Sequence, residues 1–76
     1  MPELGIGQIT FLMDTLKKQE GLEMFDWNNR DMLWKAFENI TVDEKRRLHL
    51  LMITGKIKDL ISMLDQLGVE RAKQDV

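Results

Sequence analysis

Six aliphatic residues in the C-terminal half of the chain recur at alternating spacings of three and four positions. They are Leu50, Ile53, Ile57, Leu60, Leu64 and Leu67. This spacing keeps all six side chains on one stripe of an α-helix, which must be buried against another surface. The pattern therefore predicts a helix that packs on other helices, within the chain or in a second molecule.

The length of the chain limits how such a stripe can be buried. We expect the 76 residues to form a single helical domain, 1–76, and a domain near this size buries only about 60% of the surface that its unfolded chain exposes. Disulfides cannot stabilise it because it contains no cysteine, and a single histidine, His49, excludes the usual metal clusters. Helix packing or self-association is left as the source of stability.

The first part of the chain predicts an irregular segment followed by a helix. Residues 1–7 contain a proline and two glycines and are expected to be an irregular lead-in. Apolar residues at helical spacing predict a helix from Gln8 to about Gln19, with Phe11 off its apolar face and marking a second contact. Gly21 is expected to take the left-handed conformation that ends this helix.

A second helix is predicted from its capping residues. Asn28 is a suitable N-cap, with Asp31 three residues later. Trp27 before the cap and Met32 after it stand at the positions of a hydrophobic staple. The same region supplies Trp34, which lies at the edge of the helix's apolar face.

The third predicted helix begins at a capping box, in which Thr41 and Glu44 cap each other's amides. The apolar pattern then runs to Leu67, with Gly68 as the stop. Gly55 interrupts it, at a cost of about 1 kcal/mol relative to alanine in a continuous helix. Because the three-four spacing keeps its phase across Gly55, we favour one long helix, kinked there, over two helices.

These elements predict an all-α fold, a small compact bundle of three to four helices with a long C-terminal helix. Residues 69–76 are mostly polar and are expected to form a frayed tail. The leading sequence lacks the basic and apolar regions of a signal peptide, and no apolar run is long enough for a membrane span. We therefore expect a cytoplasmic protein that does not act in a membrane.

Charge is separated along the sequence. Residues 20–44 carry seven acidic and two basic residues, whereas residues 45–58 carry five basic residues and no acidic one. The five bases form a predicted basic flank: Lys45, Arg46, Arg47, Lys56 and Lys58. This flank can contact the chain's own acidic half, an acidic protein or nucleic acid. Nucleic acid is a less favoured ligand of this flank than protein, because the acidic residues at the start of the third helix would repel phosphates.

Catalysis is not indicated by any residue pattern. His49 lies in an apolar run with no serine nearby, so the sequence does not indicate a nucleophilic serine with histidine as its general base. Calcium, zinc and phosphate-loop motifs are absent from the sequence. We therefore predict no enzyme activity, no catalytic or metal residues, no cofactor and no small-molecule substrate.

The predicted function is protein binding, by an adaptor, inhibitor or regulatory subunit. Three short helices are too small to cover all the apolar side chains, and aromatic residues and methionine are enriched at interfaces. The predicted contacts are the six-residue stripe, the basic flank and an aromatic contact through Trp27 and Trp34. The partner is another protein or a second copy in a homodimer, and the alternative function is a nucleic-acid-associated regulator that uses residues 45–58.

Overall fold

Four α-helices and the loops between them make up the computed structural model, which describes residues 5–73. The helices are α1 (Ile6–Lys18), α2 (Arg30–Phe37), α3 (Val42–Ile53) and α4 (Ile57–Leu67). They enclose one apolar core, formed by Ile9, Leu12, Met13, Leu16, Leu22, Phe25, Leu33, Phe37, Ile40, Leu48, Leu60, Leu64 and Val69. The radius of gyration is 12.0 Å, near the value of about 11 Å expected for a compact domain of this length. The prediction of a small compact all-α bundle is confirmed.

Helix α1 uses the apolar face that its spacing predicts, with Ile9 and Leu16 among its buried residues. It begins at Ile6, so the predicted irregular lead-in is wrong for positions 6 and 7, while residues 1–4 lie outside the described part of the chain. Gly21 has the expected positive φ, 93°. It stands two residues beyond the C-cap, Gln19, because the chain leaves the helix through extended backbone first.

Helix α2 is capped one residue later than the sequence predicts. Asn29 is the N-cap, and its side-chain oxygen accepts a hydrogen bond from the amide of Met32 at 3.2 Å. Asn28 instead belongs to the preceding turn, in which its amide donates to Asp26 Oδ1 at 3.2 Å. The predicted cap at Asn28 is therefore wrong, and with it the staple register of Trp27 and Met32.

The capping box at the start of α3 is confirmed. The amide of Glu44 donates to Thr41 Oγ1 at 3.1 Å, and the amide of Thr41 donates to Glu44 Oε1 at 3.0 Å. Two amides that the helix itself leaves without partners are thereby satisfied.

The favoured single helix through Gly55 is wrong. Gly55 has a φ of 69° and ends α3, with its amide donating to the carbonyl of Met52 at 3.3 Å. The next amide, that of Lys56, donates to the carbonyl of Leu51 at 3.0 Å. This pair of bonds is a Schellman motif, which glycine permits because it has no Cβ to clash in the left-handed region. The chain then turns and begins α4, which packs against α3.

The start of the predicted frayed tail is held against the fold. Gly68 ends α4 as predicted, with a φ of 93°, and Val69 is buried. The amide of Ala72 donates to the carbonyl of Met24 at 2.8 Å, and the amide of Asp26 donates to the carbonyl of Glu70 at 3.0 Å. The prediction of fraying is therefore wrong for residues 69–72, and residues 74–76 lie outside the described range.

The side chain of Arg71 also holds the segment after α4 in place. Its guanidinium forms a 2.9 Å ion pair with Asp65 and lies 5.7 Å from the ring centroid of Phe25. The hydrogen bond to Asp65 and the negative charge of that carboxylate raise the pKa of Arg71. Backbone hydrogen bonds and the side chain of Arg71 together hold residues 70–72 against the loop before α2.

Candidate functional site

The six-residue stripe is divided between the core and the surface. Leu60 and Leu64 on α4 are fully buried, and Ile57 and Leu67 are partly buried. On α3, Leu50 is 59% exposed and Ile53 is 68% exposed. The prediction that all six lie on one stripe is therefore wrong, because the turn at Gly55 reorients the helix axis between Ile53 and Ile57.

A third large apolar side chain is exposed beside Leu50 and Ile53. Phe11, on α1, is 72% exposed, and it lines a groove of about 650 Å³ together with residues of α3. The lining residues are Gln8 and Phe11 from α1 and Val42, Lys45, Arg46, His49, Leu50 and Ile53 from α3. We call this surface the α1/α3 groove.

Helix geometry explains why these side chains are not in the core. Successive residues of an α-helix are about 100° apart around its axis, so a five-residue separation is about 140°. Ile53 therefore points well away from Leu48, the buried residue of α3, and Phe11 has the same relation to Leu16 on α1. Each helix buries one face and presents a second, partly apolar face to the groove.

The groove has a basic edge. Lys45 and Arg46 lie on the first half of α3, and His49 lies one turn further along. Among the described residues that line the groove, none has a carboxylate. Within residues 5–73 the sole ion pair is that of Arg71 with Asp65, so neither base of the groove forms an ion pair with the acidic residues of the segment 20–44.

The basic flank does not form one surface. Lys45 and Arg46 line the α1/α3 groove, whereas Arg47 lines a second cavity, of about 580 Å³, between α3 and α4. Lys56 and Lys58 are exposed at the start of α4, beyond the turn that separates the two helices. The structure thus brings together two of the five predicted bases.

The acids of the capping segment lie on the other side of α3. Asp43 and Glu44 line the second cavity, together with Arg47, Asp59 and Ser62. Ser62 therefore opens onto a different cavity from His49, which lines the α1/α3 groove. A third cavity, of about 460 Å³, lies beside α2 and the end of α4 and includes Asp31, Lys35 and Glu70.

The two tryptophans pack against the core and are partly buried. Trp27 Nε1 donates to the carbonyl of Leu22 at 2.8 Å, and its ring stands edge-on to Phe25 with centroids 5.9 Å apart. Neither tryptophan lines the α1/α3 groove. The predicted aromatic contact stays a prediction at these positions, whereas Phe11 supplies the aromatic ring of the groove.

Sequence reasoning missed Gln8, Val42 and His49 as groove residues and did not connect Phe11 with α3. The off-face position of Phe11 was the available signal. The apolar periodicity of α1 and of α3 does not indicate which helices pack side by side. The groove is formed by tertiary packing, which this periodicity does not predict.

Between residues 5 and 73, no group of three or more histidine, cysteine, aspartate or glutamate side chains is placed to hold a metal ion. None of the helices in this part of the chain has the length and apolar character needed to cross a bilayer. Comparisons of the sequence with protein-family models and curated proteins, and of the structure with solved structures, found no match.

Proposed function

We propose that the protein is a cytoplasmic, non-catalytic protein-binding module, an adaptor, inhibitor or regulatory subunit, whose contact surface is the α1/α3 groove. The observation that carries this proposal is the exposure of Phe11, Leu50 and Ile53 side by side. Between residues 5 and 73 the same fold buries thirteen other apolar side chains. An apolar patch that a small domain leaves uncovered is typical of a surface that a partner covers.

The size of the apolar contribution can be worked from the exposures. Fully burying a leucine, isoleucine or phenylalanine contributes about 1.5–3 kcal/mol. Phe11, Leu50 and Ile53 are 72%, 59% and 68% exposed. Covering all three therefore contributes on the order of 3–6 kcal/mol of favourable binding free energy. Association costs roughly 4–15 kcal/mol in lost freedom. The three side chains therefore serve as anchors, and a stable complex also needs the polar edge of the groove.

Nucleic-acid binding is supported less well by the same geometry. A phosphate backbone is recognised by several bases that converge on one surface. Here the five bases are spread over the groove, the second cavity and the start of α4. The centre of the groove is apolar, which suits a protein side chain better than a phosphate.

Site-specific photo-crosslinking tests the proposed function. Phe11 is replaced by the photoreactive analogue p-benzoylphenylalanine in cells that produce the protein, and the matched control carries the same analogue at Lys58, which is exposed outside the groove. We expect a discrete protein adduct from position 11 and none of that mass from position 58. The captured protein, identified by mass spectrometry and purified, should bind F11A and I53A at least tenfold more weakly than the unaltered chain.

Two results would overturn the proposal. One is the absence of any protein adduct from position 11. The other is an identified protein whose affinity is unchanged by F11A and I53A, which would show that the captured contact does not depend on the groove.

A further inference from the structure

We infer that the occupant of the α1/α3 groove is an acidic amphipathic helix of the partner protein. This inference rests on the proposed function and specifies the chemistry of its ligand. Apolar side chains of the partner helix would cover Phe11, Leu50 and Ile53, and its carboxylates would face Lys45 and Arg46.

Charge is the first argument for an acidic occupant. Lys45 and Arg46 line the groove without an ion pair or a side-chain hydrogen bond to any residue between positions 5 and 73. No carboxylate of residues 5–73 lines the groove beside these two bases. Complementary charge at the edge of an interface raises the association rate and disfavours wrong partners.

The shape of the groove is the second argument. Its α3 wall runs from Val42 to Ile53, and eleven steps of 1.5 Å give a length of about 16 Å. That length matches about three turns of a partner helix lying along the groove. Two neighbouring helices with apolar side chains between them form the standard receptor for an amphipathic helix.

The order of residues along α3 specifies the spacing in the partner. The bases at positions 45 and 46 lie one to two turns before the apolar pair Leu50 and Ile53. A helix lying along α3 therefore needs its acids about four to eight residues from its apolar anchors. Acids favour the N-terminal turn of a helix, so the geometry points to a partner helix running parallel to α3.

A second copy of the chain fits this surface less well. In a two-fold dimer both molecules contribute the same patch. Lys45 and Arg46 of one molecule would then meet a facing groove whose described lining offers no carboxylate. An isologous contact through the groove is disfavoured for that reason.

A pair of synthetic peptides tests the inferred chemistry. Each is about 14 residues long, close to four helical turns, and carries leucines on one face. One peptide has glutamates one to two turns before the leucines, and the other has lysines at the same positions. Titration of the ¹⁵N-labelled full chain should show that the glutamate peptide binds at least tenfold more tightly, with the largest amide shifts at residues of the groove.

Charge reversal in the protein supplies the matched variants. The double variant K45E/R46E should lose at least tenfold in affinity for the glutamate peptide. The double variant K56E/K58E alters the net charge equally but outside the groove, and it should change the affinity less than threefold. Amide spectra of both variants show whether each retains the fold.

The outcomes separate this inference from the function on which it rests. Three results would overturn the inference of an acidic helix. They are equal affinities for the two peptides, no binding of the glutamate peptide, and equal effects of the two double variants on affinity. Amide shifts centred on another surface would overturn it too, as would a dimer that F11A dissociates, or duplex DNA that displaces the peptide. Any of these results, together with a groove-dependent protein adduct from position 11, would leave the proposed protein binding in place.

Discussion

Replacing Gly55 with alanine tests the division of the C-terminal half into two helices, because the two arrangements predict effects of opposite sign. In the structure Gly55 has a φ of 69°, and an L-residue pays about 1–2 kcal/mol to enter this region. No atom outside its chain neighbours lies within 4 Å of a Cβ built there, so the cost comes from backbone conformation and not from a clash. G55A should therefore lower the free energy of unfolding by about 1–2 kcal/mol.

A continuous helix through position 55 gives the contrary result, since alanine is favoured over glycine inside a helix by about 1 kcal/mol. The measurement is urea unfolding followed by circular dichroism, accompanied by thermal melts in which 1 kcal/mol corresponds to about 4–8 °C. Gly7 is the matched control, because it lies in α1 with an open surrounding and without a positive φ. G7A should be neutral or stabilising, and a stabilising G55A would refute the turn.

Other substitutions test the cap, the groove and the tail by the same unfolding assay. T41A should cost about 0.5–2 kcal/mol through loss of the capping box, whereas T10A, whose hydroxyl bonds within α1, should stay within about 0.5 kcal/mol. F11A should lower the free energy of unfolding by under about 1 kcal/mol because the ring of Phe11 is largely exposed. F37A should lower it by about 3–5 kcal/mol because Phe37 lies in the core. Equal effects of the two substitutions would contradict the exposed position of Phe11 in the groove. V69A should cost about 1–2 kcal/mol because this side chain is buried, and a neutral effect would restore the frayed tail.

Local signals in the sequence predict much of the secondary structure. The apolar face of α1 and the capping box at Thr41 follow from spacing and from side chains within four residues of each other. The stop at Gly68 is equally local. These features could be predicted because the physical interactions that determine them join residues that are close in sequence.

Features that depend on distant residues could not be predicted in this way. The segment after α4 has a polar composition that predicts fraying, yet its backbone forms hydrogen bonds with Met24 and Asp26, more than forty positions earlier. The groove likewise needs Phe11 to lie against α3, about forty positions further on. The sequence predicted the chemistry of these residues, apolar and basic, but tertiary packing determines which of them share a surface.

The turn at Gly55 connects the fold with the proposed function. Had the helix continued, Leu50 and Ile53 would lie on the same stripe as Leu60 and Leu64, which are fully buried. The Schellman motif changes the direction of the chain between the two pairs, so the second pair fills the core while the first stays at the surface. An apolar pattern that predicts one long helix therefore supplies two separate surfaces, part of the core and one wall of the α1/α3 groove.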